Sequence, residues 1–216
     1  MLTRRDCLAI PPTLLVASAC GRAPSAAEPA HSRGQPLSNL YQCEGCEGAL
    51  ERDAAKLDWQ TRVAAPQEQG EAFVYEGTVY SADTRQPTPG IVIYAYQTNA
   101  AGFYADGTTE TEWSRRHGNL RGWTKTSTDG RYRFLSIKPG PYPDANLPAH
   151  VHLTVLEPGR PPYWIDDIVF AGEFGVTREY RSSMANKGGD GIVDLARDLE
   201  QRWIARRDII LERHPA

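Results

Sequence analysis

The chain has 216 residues and a formal net charge of −3, with 24 Lys and Arg against 27 Asp and Glu. That balance excludes the strong single-sign field on which a nucleic-acid partner or a charged membrane surface depends. No stretch is long and apolar enough to remain as a spanning helix, and 19 Gly and 16 Pro divide the chain into short strand-like runs, which favours an all-β domain.

Residues 1–20 read as an export signal. Thr3-Arg4-Arg5-Asp6-Cys7-Leu8 has the form of a twin-arginine signal. A short apolar stretch broken by Pro11 and Pro12 then ends in Ala17-Ser18-Ala19-Cys20, a lipoprotein-like box with Cys20 as the lipidated residue. The alternative is a plain secretory peptide cut near Ala19. Either way the expected location is outside the cytoplasm, periplasmic or at the cell surface, with membrane contact only through a lipid on Cys20. Residues 21–36 are rich in Ala, Pro, Ser and Gly and read as a flexible tether. Residues 37–70 carry Cys43-Glu44-Gly45-Cys46. Two cysteines cannot complete a four-Cys zinc site. Outside the cytoplasm a short disulfide is the simplest reading, with a redox role as the alternative.

From residue 71 to 216 the pattern is that of a sandwich. Strands are expected over Phe73–Tyr80, Ile91–Gln97, Leu120–Thr126, Tyr132–Ile137, Ala149–Leu156 and Trp164–Phe170, with a turn at Thr128-Asp129-Gly130. The segment Asn99–Asn119 shows no periodicity and reads as a long functional excursion. Val176–Met184 is expected to form a short helix. The final stretch, Ile192–Leu211, reads either as an amphipathic helix over Asp194–Arg207 or as a hairpin around Leu199-Glu200-Gln201. The β-branched and aromatic residues Trp203, Ile204, Ile209 and Ile210 favour the hairpin.

Chemistry concentrates between residues 137 and 155. Positions i and i+2 of a strand point to the same face, so His150 and His152 aim two imidazoles at one point. Eight residues upstream of His150, Tyr142 lies in a loop stiffened by Pro139, Pro141, Pro143 and Pro148, with Gly140 free to take positive φ. A lone His-x-His is commonly a surface pair or an incidental zinc or copper site, and a Tyr among prolines is commonly a packing residue. Read by themselves, these residues leave the metal open.

The run I-K-P-G-x-Y-P…P-A-H-x-H resembles the metal-binding segment of the intradiol ring-cleavage dioxygenases. Asn99-Ala100-Ala101-Gly102-Phe103-Tyr104 is similar to that family's upstream N-A-A-G-x-Y, and Thr128-Asp129-Gly130-Arg131-Tyr132-Arg133-Phe134 to its linking turn and strand, one residue shorter. The resemblance covers roughly Gly77 to Phe170. It implies an antiparallel β-sandwich with long loops and little helix. It also implies Fe(3+) held by Tyr104, Tyr142, His150 and His152, a catechol-type diol and O2 as substrates, and Tyr142 acting as a base on the diol. A C-x-G-C-E segment like that at Cys43 precedes the domain in secreted members. Members often assemble, so the resemblance leaves room for a homo-oligomer, although no interface is legible.

Two positions depart from the pattern. Leu147 stands where the family commonly has Arg, and Asp167 where it commonly has Gln. The donor-rich stretch Arg115–Trp123 lies between the two tyrosines, and Arg121 or His117 is expected to stand in for the missing Arg. The alternatives are a solvated basic edge for that stretch and, for the whole protein, a sandwich that binds without turnover at the cell surface. A zinc or copper site doing other work is a third. It finds few further ligands, since the remaining histidines are His31, His117 and His214.

Overall fold

Alternating residues of the central strands divide cleanly between two destinations. In Val92–Gln97, Ile93 and Ala95 enter the main core while Val92 and Tyr94 enter a smaller cluster on the opposite face. In His150–Leu156, Val151, Leu153 and Val155 enter the main core, which leaves His150 and His152 on the face of Tyr94 and Tyr96. That period of two is what sends the chemistry outward and the aliphatic bulk inward.

The computed structural model describes residues 36–105 and 111–215. The expected export signal and most of the tether lie outside the described residues. Among these, the strands are β1 (Gln60–Arg62), β2 (Ala72–Tyr80), β3 (Val92–Gln97), β4 (Arg121–Lys125), β5 (Arg131–Ile137), β6 (His150–Leu156), β7 (Tyr163–Phe170), β8 (Ile192–Val193), β9 (Leu195–Arg197), β10 (Trp203–Arg206) and β11 (Ile209–Ile210). Two helices, α1 (Glu112–His117) and α2 (Arg178–Ser183), are short.

One sheet runs β1-β5-β2-β10-β9, with β11 also on β2; the other runs β4-β3-β6-β7-β8. The expected β-sandwich is present. Its sheets are mixed, however, rather than purely antiparallel: β1 on β5, β10 and β11 on β2, and β8 on β7 are parallel pairs. Each parallel partner reaches its neighbour from a remote part of the chain, so no hairpin dictates its direction. Between the sheets Phe73, Tyr75, Phe134 and Phe170 lock together, Tyr75 stacking on Phe134 at 4.7 Å and Phe73 meeting Phe170 edge to face at 5.4 Å.

The closing segment is the hairpin, not the helix: β9 and β10 pair antiparallel. Its continuation bends at Arg207, whose backbone N–H still donates to the Glu76 carbonyl at 2.9 Å. The Arg207 carbonyl accepts from Tyr132 Oη at 2.8 Å and lies directly over Gly77, where an added Cβ would meet it at 1.8 Å. Gly77→Ala is therefore expected to push the C-terminal strands off β2 and to destabilise the protein by about 4 kcal/mol, the upper end for single substitutions. Denaturant unfolding measures it, and a variant within 1 kcal/mol of the parent, on the order of an ordinary surface change, would refute the contact.

Residues 37–70 pack into the sandwich. Leu40, Val63 and Ala64 join its core, and β1 extends one sheet. Cys43 and Cys46 are joined as a disulfide. The glycines of Cys43-Glu44-Gly45-Cys46-Glu47-Gly48 have a packing reason. A Cβ on Gly45 would lie 2.9 Å from His117 Nε2, and one on Gly48 3.0 Å from the Tyr94 ring. The turn thus presses flat against Tyr94, His117 and Trp123, and Trp123 Nε1 donates to the Gly48 carbonyl at 3.0 Å.

The excursion at 99–119 holds an element that periodicity did not reveal. Thr111 and Ser114 form a reciprocal capping box that starts α1, and six residues are too few to show a helical stripe.

Candidate metal centre

Two loops and one strand bring the four residues together. Asn99 organises the first loop: its side chain accepts from the N–H groups of Ala101 and Phe103 at 3.0 and 3.1 Å. Its carbonyl accepts from Gly102 and from Gly140 of the second loop, at 3.0 and 2.9 Å. The two backbones touch because both residues lack a side chain. A Cβ on Gly102 would meet the Pro141 carbonyl oxygen at 2.0 Å, and one on Gly140 would meet the Ala100 carbonyl oxygen at 2.5 Å. Gly102 has φ of 86°, whereas Gly140 does not adopt positive φ. Its glycine serves close approach, not the turn expected from the sequence.

That contact places Tyr104 beside Tyr142, with their hydroxyls 2.5 Å apart. Tyr104 Oη lies 2.9 Å from His152 Nε2. Tyr142 Oη lies 3.2 Å from His150 Nε2 and 3.4 Å from His152 Nε2, and the two Nε2 atoms are 3.0 Å apart. Two phenol oxygens and two ring nitrogens converge on one point.

The other ring nitrogens settle which atom carries the proton. His150 Nδ1 is 2.8 Å from the Pro148 carbonyl, which can only accept, so Nδ1–H donates and Nε2 keeps its lone pair. His152 Nδ1 is 3.0 Å from an oxygen of Asp167, with the same consequence. Burial pushes the phenols of Tyr104 and Tyr142 above their ordinary range and the imidazole of His150 below its own. Burial also raises the Asp167 carboxyl, but its electrostatic and hydrogen-bond interactions with the His152 imidazole outweigh it and the group stays below the usual carboxylate range. Two phenol oxygens and two ring nitrogens crowded on one point fit a cation, which would displace the phenol protons. Phenolate oxygen and imidazole nitrogen together suit a hard trivalent ion.

The two residues expected to replace the missing Arg are placed elsewhere. Arg121 donates from Nη1 to Glu51 at 2.5 Å and from Nη2 to Thr111 at 3.1 Å, with its guanidinium against Trp123. This ion pair is largely buried, its side chains 8% and 17% exposed. Arg121→Ala is expected to leave metal content unchanged and to cost about 3 kcal/mol by stranding Glu51; metal analysis beside thermal unfolding checks both. His117 is one ring removed from the centre. It stacks on Tyr96 at 3.9 Å, and Tyr96 stacks on His152 at 4.4 Å. Its Nδ1 pairs with Tyr94 Oη at 2.8 Å.

Burial, then the positive neighbours His152, Arg121 and Arg116, hold the His117 imidazole down to about 4. The unfolded chain, with His near 6.5, then binds the proton that the folded chain refuses. Stability is fully present above about pH 6.5 and falls as pH drops toward 4. His117→Gln is expected to flatten that slope in urea titrations at pH 4.5 to 7.

Leu147 is 44% exposed, and so are Phe103 at 56% and Phe174 at 62%. Gly175 packs on Pro148 and Leu147, and the Gly102 turn packs on Pro141 and Pro143, so these side chains stand on adjoining loops about the tyrosines. On the Asp167 side of His152 a cavity of about 360 Å³ opens, bordered by Tyr96, Trp164, Tyr180 and the Cys43–Cys46 turn.

A family model described as Dioxygenase matches residues 48–188, more than half of the chain. The chain belongs to the intradiol dioxygenase family. Among curated relatives, catechol 1,2-dioxygenase 1 of Acinetobacter lwoffii is 31% identical over 42% of this chain and 33% of its own length. The protocatechuate 3,4-dioxygenase beta chain of Burkholderia cepacia is 33% identical over 40% of this chain and 39% of its own. The match thus spans well under half the length of these curated members. The family fold is also that of the dioxygenase domain of a dioxygenase carbohydrate-binding protein fusion from Streptomyces sp. SirexAA-E, with a TM-score of 0.52 at 20% identity, over 70% of this chain and 86% of that one.

Proposed function

We propose that this protein is an exported intradiol ring-cleaving dioxygenase that holds ferric iron on Tyr104, Tyr142, His150 and His152 and acts on catechol-type diols with O2. The observation that carries the reading is the convergence of two phenol oxygens and two imidazole Nε2 atoms, with neighbouring donor–donor distances of 2.5 to 3.4 Å. Family membership supports the activity.

Ferric iron in that site would supply Lewis acidity toward both hydroxyls of a diol, activating its ring toward O2. The residues divide the remaining work. Tyr104 is the fixed donor, flanked by the Tyr96 ring at 6.0 Å and by His152. Tyr142 rides on a loop whose neighbours Pro141, Pro143 and Asp144 are exposed, so it has room to swing. It takes a diol proton at its Oη. His150 and His152 keep their Nε2 lone pairs turned inward, His150 through the Pro148 carbonyl. Export rests on the Arg4-Arg5 and Ala17–Cys20 patterns, and a periplasmic address suits diols too bulky or polar to import.

Leu147 supports a second reading, a cell-surface binding module. An exposed leucine offers no positive charge to a ring that gathers electrons, so binding would survive and turnover would not. One experiment separates the two. Iron-loaded protein is expected to absorb in the visible through phenolate-to-ferric charge transfer, to shift that band with catechol, and to consume O2. A shift without O2 uptake selects the binding module. A colourless protein carrying zinc or copper overturns the ferric centre.

A further inference from the structure

The pairing of β6 with β7 slips at the metal centre. Val151 pairs with Ile168 and Leu153 with Ile165, so His152 faces two residues, Asp166 and Asp167, where a regular ladder would give it one. Ile165 and Ile168 both point into the main core, although they are three apart. In an unbroken strand one of them would face out. The extra residue is a β-bulge, a device that re-aims a side chain beside a site. Here it delivers Asp167 to the outer face, where its carboxylate meets His152 Nδ1 at 3.0 Å.

We propose that Asp167, carried by this bulge, is the positioning residue of the centre, fixing the tautomer and ring plane of His152 and strengthening its Nε2 as a donor. This rests on the ferric reading above for what Nε2 donates to, but the tautomer itself does not depend on a metal.

Asp167 could instead be read as a ligand, because oxygens and nitrogens of His150, His152 and Asp167 lie within 4.8 Å of one another. The geometry argues against it. The carboxylate lies on Nδ1, while Nε2 of the same ring faces Tyr104, Tyr142 and His150. One imidazole cannot turn both nitrogens to a single ion. The two histidines also differ in a way that has a consequence. His150 donates to a neutral carbonyl and His152 to a carboxylate. A charged acceptor makes the stronger hydrogen bond and pulls the ring toward imidazolate character, so His152 is the stronger of the two nitrogen donors. The hydrogen bond is reachable by solvent, the two side chains being 26% and 30% exposed, which damps its strength but leaves its direction.

The test uses the full chain and the variants Asp167→Ala and Asp167→Asn. In the apoprotein, nitrogen-15 NMR of the imidazoles reads the tautomer directly. The parent is expected to show His152 protonated at Nδ1, and Asp167→Ala to lose that preference while His150 keeps it. In the ferric protein, Asp167→Ala is expected to bind iron roughly 10–100-fold more weakly in chelator competition, the usual loss for an outer partner. Its charge-transfer band is expected to move to longer wavelength, because a weaker donor leaves the iron more electron-poor. Asn still accepts from Nδ1–H, so Asp167→Asn is expected to recover most of the affinity and only part of the band position. Unchanged tautomer, affinity and band in Asp167→Ala overturn the assignment. Loss of affinity in which Asp167→Asn is as weak as Asp167→Ala, with the His152 tautomer intact in both, overturns it in favour of direct ligation. A parent protein that takes up no ferric ion sinks the ferric reading instead, and the tautomer result then stands or falls separately.

Discussion

Tyr104→Phe is expected to lose iron and colour together. The substitution deletes one oxygen and little else, since Tyr104 reaches the centre through its hydroxyl, 2.5 Å from Tyr142 and 2.9 Å from His152 Nε2. A cation of charge three held by two phenolates and two neutral imidazoles loses half of its anionic donors at one stroke. Burial holds the phenol well above its ordinary range, so only a bound cation makes it an anion, and that coupling should appear as proton release on loading. Retention after dialysis against a chelator is expected to fall by more than the roughly 10–100-fold that loss of an outer partner brings. Tyr142→Phe should also bleach the protein. If Tyr142 is the group that swings to the diol, Tyr142→Phe will in addition lose the proton transfer and be slow even when iron is supplied in excess. Tyr104→Phe with parental iron content and parental absorbance would remove Tyr104 from the centre and leave only the two histidines and Tyr142.

The part of the site that follows from alternation was legible beforehand. His150 and His152 are two apart in a strand of aliphatic residues, and the period of two alone puts them on one face. The six strands expected between residues 73 and 170 fall within a residue or two of β2 to β7, and Trp203, Ile204 and Ile209 do pair as strands against β2. What could not be read depends on distant partners. β1 is three residues long and mostly exposed, and exists because Leu135 and its neighbours on β5 offer an open edge. Arg121 was expected at the centre because the charge was needed there. Glu51, supplied by the N-terminal turn 70 residues earlier, holds it away. Asp167 stood out in the sequence only as a departure from the family's Gln, and strand alternation followed strictly from Ile165 would point it inward. The bulge reverses that, and a bulge leaves no mark in composition.

Gly102→Ala is expected to separate the two tyrosine loops, and to damage the centre more than the fold. Two costs act on the variant. The first is conformational: φ of 86° is a left-handed region that costs an L side chain roughly 1–2 kcal/mol. The second is collision, because the new methyl would lie 2.0 Å from the Pro141 carbonyl oxygen, an atom of rigid backbone. Gly159 isolates the first cost, since it has φ of 73° with nothing within 4 Å of an added Cβ. Gly159→Ala should therefore lower stability by about 1 kcal/mol and leave iron content and the charge-transfer band alone. In Gly102→Ala the loop 99–104 must retreat from Pro141 and Pro143, taking Tyr104 with it. Movement of about 1 Å is enough to upset a preorganised constellation. The main core of Phe73, Tyr75, Phe134 and Phe170 is built from strands that neither loop belongs to, so the unfolding transition should stay cooperative. The two variants are thus expected to differ little in melting temperature and widely in retained iron. Equal iron retention in both would mean that Tyr104 and Tyr142 are held together by something other than the contact of their two backbones.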